Sequence, residues 1–289
     1  MTKYIKSILF LPVLLFALSA CDSMISDVEV PDSDPKLVVT GFLSPADDTI
    51  TIIVRKTRPL YEPTPGFDNS FPPVNNATVT LSDGLNNINL PYNPTSGAYQ
   101  VPATAMPVIE NNAYSLSVTT PDGYNATSSC RIPGGTSPQV EITGIDTLND
   151  YGTVSRKVSF RFRDLPGDGQ YYNVAAGTLY GDENYFNSYF YETGFERGEP
   201  FVSDKNKDEE YFIYKTWEIY EDNSPGNILY ISVSLTDENY YNYHRSINTF
   251  TGDNPFAEPT PVYSNITGGV GVFAGVNGKI TEYDLGDFR

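Results

Sequence analysis

From Leu37 onward, apolar residues come in short runs that alternate with polar ones and stop at turn residues. Alternation at a period of two marks strands with one buried face. It predicts strands over 37–43, 49–54, 77–81, 88–90, 98–101, 114–119 and 124–132, with Ser82-Asp83-Gly84 and Pro121-Asp122-Gly123 as turn signals. About seven short strands with a turn roughly every ten residues describe an Ig-like or prealbumin-like β-sandwich over 37–134. Pro133-Gly134-Gly135 marks its end. The second half, 135–289, repeats the theme with strands at 140–145, 154–163, 171–179, 185–192, 211–220 and 228–235. In the second of these, Val158, Phe160 and Phe162 alternate with polar neighbours. One helix stands out over 237–247, with Thr236 placed to cap it, acids in its first turn and Arg245 towards its end. The glycine-rich tail 268–283 alternates apolar residues and is expected to close a sheet. The predicted fold class is therefore all-β: a sandwich followed by a second, mostly antiparallel β domain with one short helix.

The first twenty residues follow a different pattern. Lys3 and Lys6 precede an apolar run, Ile8 to Leu18, and then the small residues Ser19 and Ala20. These are the parts of a secretory signal, and the run is too short to span a bilayer of roughly 30 Å. Leu18-Ser19-Ala20-Cys21 resembles a bacterial lipobox, in which the cysteine sulfur is acylated after export. Several acyl chains, each buried methylene contributing about 0.8 kcal/mol, anchor stably where one would not. Cys21 is thus the expected lipidation site, and the polar, acidic stretch 21–36 reads as a lipidated tether.

Charge narrows the partners. The chain carries 36 acidic and 18 basic residues, and removing residues 1–20 takes away two lysines and no acid. So acidic a surface repels phosphate backbones, which argues against nucleic acid. With Cys21 acylated, Cys130 is the one remaining thiol, and no intrachain disulfide can form.

Candidate chemistry is sparse. The one histidine, His244, excludes a His-x-x-x-His zinc site, no Gly-x-Ser-x-Gly elbow accompanies it, and an imidazole that is packed or exposed rather than catalytic is the expectation. The tail glycines fail the phosphate-loop pattern at Phe273 and Ile280, and close strand packing explains them better. The run Asp204 to Glu210 offers alternate oxygens, but Glu209 stands where a calcium loop needs glycine and Lys215 where it needs an acid; a solvated loop is expected. No catalytic residue, metal or cofactor is assigned. Tyrosines cluster near 171–172, 185–191, 211–220 and 240–243. They suit half-buried sheet faces, and also ligand or protein contact. The connection 59–75, stiffened by five prolines, presents Tyr61, Phe67 and Phe71, the expected ligand- or partner-binding residues.

Several stretches are similar to a Bacteroidota lipoprotein family, domain of unknown function 4249. They are the lipobox, Pro35 to Val39, Pro73 to Gly84, and the closing run from Asn254 through Val262-Tyr263-Ser264-Asn265-Ile266 to Phe273. The resemblance covers nearly the whole mature chain and brings no catalytic residues with it. It implies a place beside a TonB-dependent outer-membrane receptor. In that phylum acids directly after the lipidated cysteine direct export to the cell surface; here Asp22 is followed by four non-acidic residues before Asp27, a departure from a compact signal. The expected protein is a lipid-anchored, non-enzymatic accessory or binding subunit of the outer membrane on its cell-surface side. The alternative is a stand-alone glycan- or peptide-binding module.

Overall fold

The computed structural model describes residues 34–58, 73–150, 153–180, 189–205, 210–220, 228–249 and 261–286. The expected lipidation site Cys21, the tether up to residue 33 and the loop residues Tyr61, Phe67 and Phe71 lie outside the described residues. In chain order the strands are β1 (Leu37–Leu43), β2 (Thr49–Lys56), β3 (Thr78–Ser82), β4 (Asn87–Leu90), β5 (Tyr92–Asn93), β6 (Ala98–Pro102), β7 (Ala113–Thr119) and β8 (Asn125–Arg131). The second half adds β9 (Val140–Asp150), β10 (Thr153–Arg163), β11 (Tyr171–Tyr180), β12 (Tyr189–Thr193), β13 (Phe195–Arg197), β14 (Phe201–Ser203), β15 (Tyr211–Thr216), β16 (Ile219–Tyr220) and β17 (Ile228–Thr236). The helix α1 (Glu238–Asn248) and strands β18 (Gly269–Asn277) and β19 (Ile280–Asp284) follow. The all-β expectation holds, with one α-helix among the described residues.

The strands form one long sheet and two smaller ones. The long sheet runs β12-β11-β17-β18-β1-β2-β6-β5, with β14 also on β11 and β19 also on β17. Against one half of it packs the sheet β4-β3-β7-β8; the other half faces β13-β15-β10-β16, with β9 also on β10. Each pairing encloses a core. The first gathers Leu37, Val39, Ile52, Leu81, Leu116 and Phe273, and the second Phe160, Phe162, Tyr172, Val174, Tyr214 and Ile231. Alternation explains both: odd residues of β1 are buried while even ones are not.

β18 joins the two halves. It runs parallel to β1 from Leu37↔Gly269 to Leu43↔Gly275, and its far end pairs antiparallel with β17 at Thr236↔Val276 and Leu235↔Asn277. Gly271 sits at φ +117°, where a side chain would strike the Val39 carbonyl, so only glycine lets β18 lie this close to β1. The expected tail strand is there, but it enters the middle of a sheet and completes the first core with Ile266 and Phe273.

Candidate binding groove

Helix α1 starts at Asp237, whose side chain accepts from the Tyr240 amide at 2.9 Å; the cap is one residue later than the expected Thr236, which instead ends β17. A second role fixes Asp237: its own amide donates to the Gly275 carbonyl at 2.9 Å, tying the helix to β18. Burial pushes the Asp237 carboxyl above the ordinary carboxylate range, only partly opposed by the amides of Tyr240, Gly275 and Arg131. The helix lies over Phe42, on the face of β1 turned away from the first core. His244 stacks between Phe42 (5.4 Å between ring centroids) and Phe201 (4.9 Å), with Tyr240 and Tyr243 beside it. Its Nε2 is buried without a hydrogen-bond partner, and burial lowers its proton affinity. The sole imidazole is packed, one of the two placements expected of it.

Beyond the helix lies a groove of about 620 Å³ between α1, β14, β15 and the turn at Arg197–Glu199. Tyr241 forms part of its helix wall, braced by Tyr171 with ring centroids 4.9 Å apart. Tyr211, 48% exposed, forms part of the opposite wall, with the Arg161 guanidinium 4.3 Å from its ring centre. The floor is packed: Tyr214 is buried, stacks on Phe160 at 5.1 Å and donates from its hydroxyl to the Glu199 carbonyl at 3.0 Å. Gly198 (φ +98°) lies against the Tyr214 ring where a side chain would clash.

The charge of the groove opposes that of the chain. Its lining carries Arg197, Lys205 and Arg245 against one acid, Glu199, whereas the whole molecule has a formal charge of −18. Arg245 meets Glu199 at 3.1 Å. Arg197 and Lys205 have no carboxylate partner among the described residues. Elsewhere several cations are paired, Lys56 with Asp122, Lys157 with Glu196 (3.1 Å), Arg161 with Glu141 (2.8 Å) and Lys215 with Asp146 (2.8 Å), while Lys36, Arg131 and Lys279 stand scattered outside the groove. In a chain with twice as many acids as bases, two cations without a carboxylate partner among the described residues, beside the exposed Tyr211, give this groove a local charge suited to anions.

Two of the tyrosine clusters supply groove walls, through Tyr211 and Tyr241, while Tyr214 of the 211–220 cluster and Tyr172 of the 171–172 cluster are core residues. The three cations were not singled out, because they come from separate segments and no local motif joins them. Asp204, first of the calcium-like run, is 2% exposed and accepts from the Gln170 amide at 3.0 Å, which makes it a turn anchor; residues 206–209 lie outside the described residues. Among the described residues no group of three metal-ligating side chains converges.

Of the closing run, residues 254–260 lie outside the described residues, and the rest has a structural role. Asn265 donates to the Phe273 carbonyl at 2.7 Å and accepts from its amide at 2.9 Å. Tyr263 donates to Asn239 of α1 at 2.8 Å, and Ser128 of β8 donates to the Asn265 carbonyl at 2.9 Å. These residues fasten β18, β8 and α1 together. In comparisons with known proteins, residues 25–281 match the model of the family described as Domain of unknown function (DUF4249). No curated protein matches the chain.

Proposed function

This chain belongs to the family described as domain of unknown function DUF4249, and from that premise we propose that it is a lipid-anchored, non-catalytic binding subunit of the outer membrane, serving beside a TonB-dependent transporter. The observation that carries the reading is Leu18-Ser19-Ala20-Cys21 directly after a basic start and an apolar run. Acyl chains on the Cys21 sulfur hold the mature protein at the membrane, and the cell-surface side is the face assigned. The geometry favours binding over chemistry. His244 is engaged between two phenylalanine rings, and the groove presents tyrosine faces and cations backed by a packed core. No reaction is assigned, and no cofactor.

Labelling cells with an alkyne-bearing palmitate analogue tests the anchor: the wild-type chain should take up label and sediment with outer membranes, and Cys21→Ala should do neither. Native purification in mild detergent should then recover a TonB-dependent receptor. An unlabelled, freely soluble wild-type protein would overturn the reading, and a labelled protein recovered alone would remove the transporter from it.

A further inference from the structure

β15 is paired with β10 from Tyr211↔Arg163 to Lys215↔Ser159, but among the described residues its other side is covered for only part of that length. Its contact with β13 joins Phe195 to Thr216 and Arg197 to Lys215, and at Gly198 the chain turns away. In an antiparallel ladder alternate residues send amide and carbonyl to the same side. The Asp164 amide donates to the Glu210 carbonyl at 2.9 Å, which places Glu210, and with it Phe212 and Tyr214, among the residues facing β10. Tyr211 and Ile213 therefore turn their backbone N–H and C=O towards the groove, where no described strand is in register with them.

An open strand edge is a template for another chain, and folds ordinarily cover or blunt it. Among the described residues this one is uncovered along Tyr211–Ile213, and it is bordered by Arg197, Lys205 and Arg245, two of which have no acid partner among the described residues. Two demands meet at one place: a row of amides and carbonyls at strand spacing, and negative charge. An acidic sugar satisfies the second alone; an extended acidic peptide satisfies both.

We propose that the groove between β15 and α1 binds an extended acidic peptide segment of a partner protein, added as a strand along Tyr211–Ile213, with its carboxylates meeting Arg197, Lys205 and Arg245. The Tyr211 and Ile213 side chains, 48% and 43% exposed, and the Tyr241 ring line the space the added strand would occupy. This inference rests on the reading of the chain as a binding protein without chemistry of its own, and names the chemistry of its partner.

The test is fluorescence anisotropy on the full lipidated protein in detergent micelles. The probe is a labelled, end-blocked peptide of alternating Glu and Val, about six residues long, the usual strand length. Its Lys–Val counterpart, a Glu–Val version N-methylated at every second residue, and oligogalacturonate serve as comparisons. The Glu–Val peptide should bind, and the Arg197→Glu/Lys205→Glu pair should weaken it by at least about tenfold. N-methylation should weaken it comparably on the unaltered protein. Ile213→Pro, which removes an N–H that the β10 ladder does not use, should do the same while leaving circular dichroism unchanged. Absence of Glu–Val binding would overturn the proposal, as would equal binding of Lys–Val. Binding indifferent to N-methylation, with displacement by oligogalacturonate, would replace the peptide by an anionic sugar. None of these outcomes bears on Cys21 labelling, so failure here and failure of the anchor are separate results.

Discussion

His244 shows how a residue that invites a catalytic reading can be a packing element. Its ring lies between Phe42 and Phe201, its Nε2 has no partner, and the groups around it are aromatic. Burial lowers its pKa from the ordinary value of 6.5, so the unfolded chain binds the proton more tightly than the folded one. Stability is then unaffected by this group above pH 6.5. It falls as pH drops through that value, and stops falling once pH is below the folded value. His244→Phe should remove this slope from melting temperatures measured between pH 8 and 5. At pH 8 it should hold or raise stability, by up to about 1 kcal/mol, because an unsatisfied buried nitrogen is replaced by carbon. An unchanged slope would show that another group carries it. For the single histidine the sequence leaves packed and exposed both open, and only the structure places it between the two rings, whereas the tyrosines were legible in part. Tyr99, Tyr114, Tyr172 and Tyr214 are core rings whose hydroxyls reach Val74, Pro107, Asp164 and Glu199. Alternation puts Tyr211 and Tyr214 on opposite faces of β15, but with Tyr211 and Ile213 on one face and Phe212 and Tyr214 on the other it does not say which face is the core.

At the scale of elements, alternation located most strands because it reports burial of one face, a local property. Val158, Phe160 and Phe162 are each fully buried, as their spacing predicts. The expected run 211–220 is two strands, β15 and β16, because after Thr216 the chain leaves the ladder: the Trp217 amide donates to the Gly194 carbonyl at 2.9 Å and its ring is 54% exposed. The short strands β13 and β14 were missed, since three residues carry too little periodicity to register. Nor was the parallel pairing of β1 with β18 legible, because it joins residues more than two hundred positions apart and depends on a glycine making room. Asn265 is the pin of that strand. Asn265→Ala leaves both the amide and the carbonyl of Phe273 without their partner, and should cost roughly 2–4 kcal/mol in urea unfolding. Asn265→Asp keeps the shape and the acceptor but loses the donor to Phe273 O, and should be no better tolerated. A loss below about 1 kcal/mol for both would mean that β18 is held by its ladder alone.

For the whole molecule the consequence of β18 is thermodynamic. Its middle contributes Phe273 to the first core, and its end is hydrogen-bonded to β17, whose Leu229, Ile231, Val233 and Leu235 fill the second. Losing one core therefore strips a neighbour from the sheet that faces the other. Each half carries its own probe. Cys130 is a buried thiol of the first core, raised in pKa mainly by desolvation, and Trp217 sits where β15 meets the Gly194 turn in the second half. In a chain of residues 22–289, which contains one cysteine and one tryptophan, urea unfolding followed by Cys130 labelling and by Trp217 fluorescence should give coincident curves with a single midpoint. Ending the chain at residue 260 removes β18 and β19 and should leave both probes in their unfolded state without urea. Two separated transitions would instead place a thermodynamic boundary near Pro133-Gly134-Gly135, with each half stable on its own core and β18 a bridge that either half can lose.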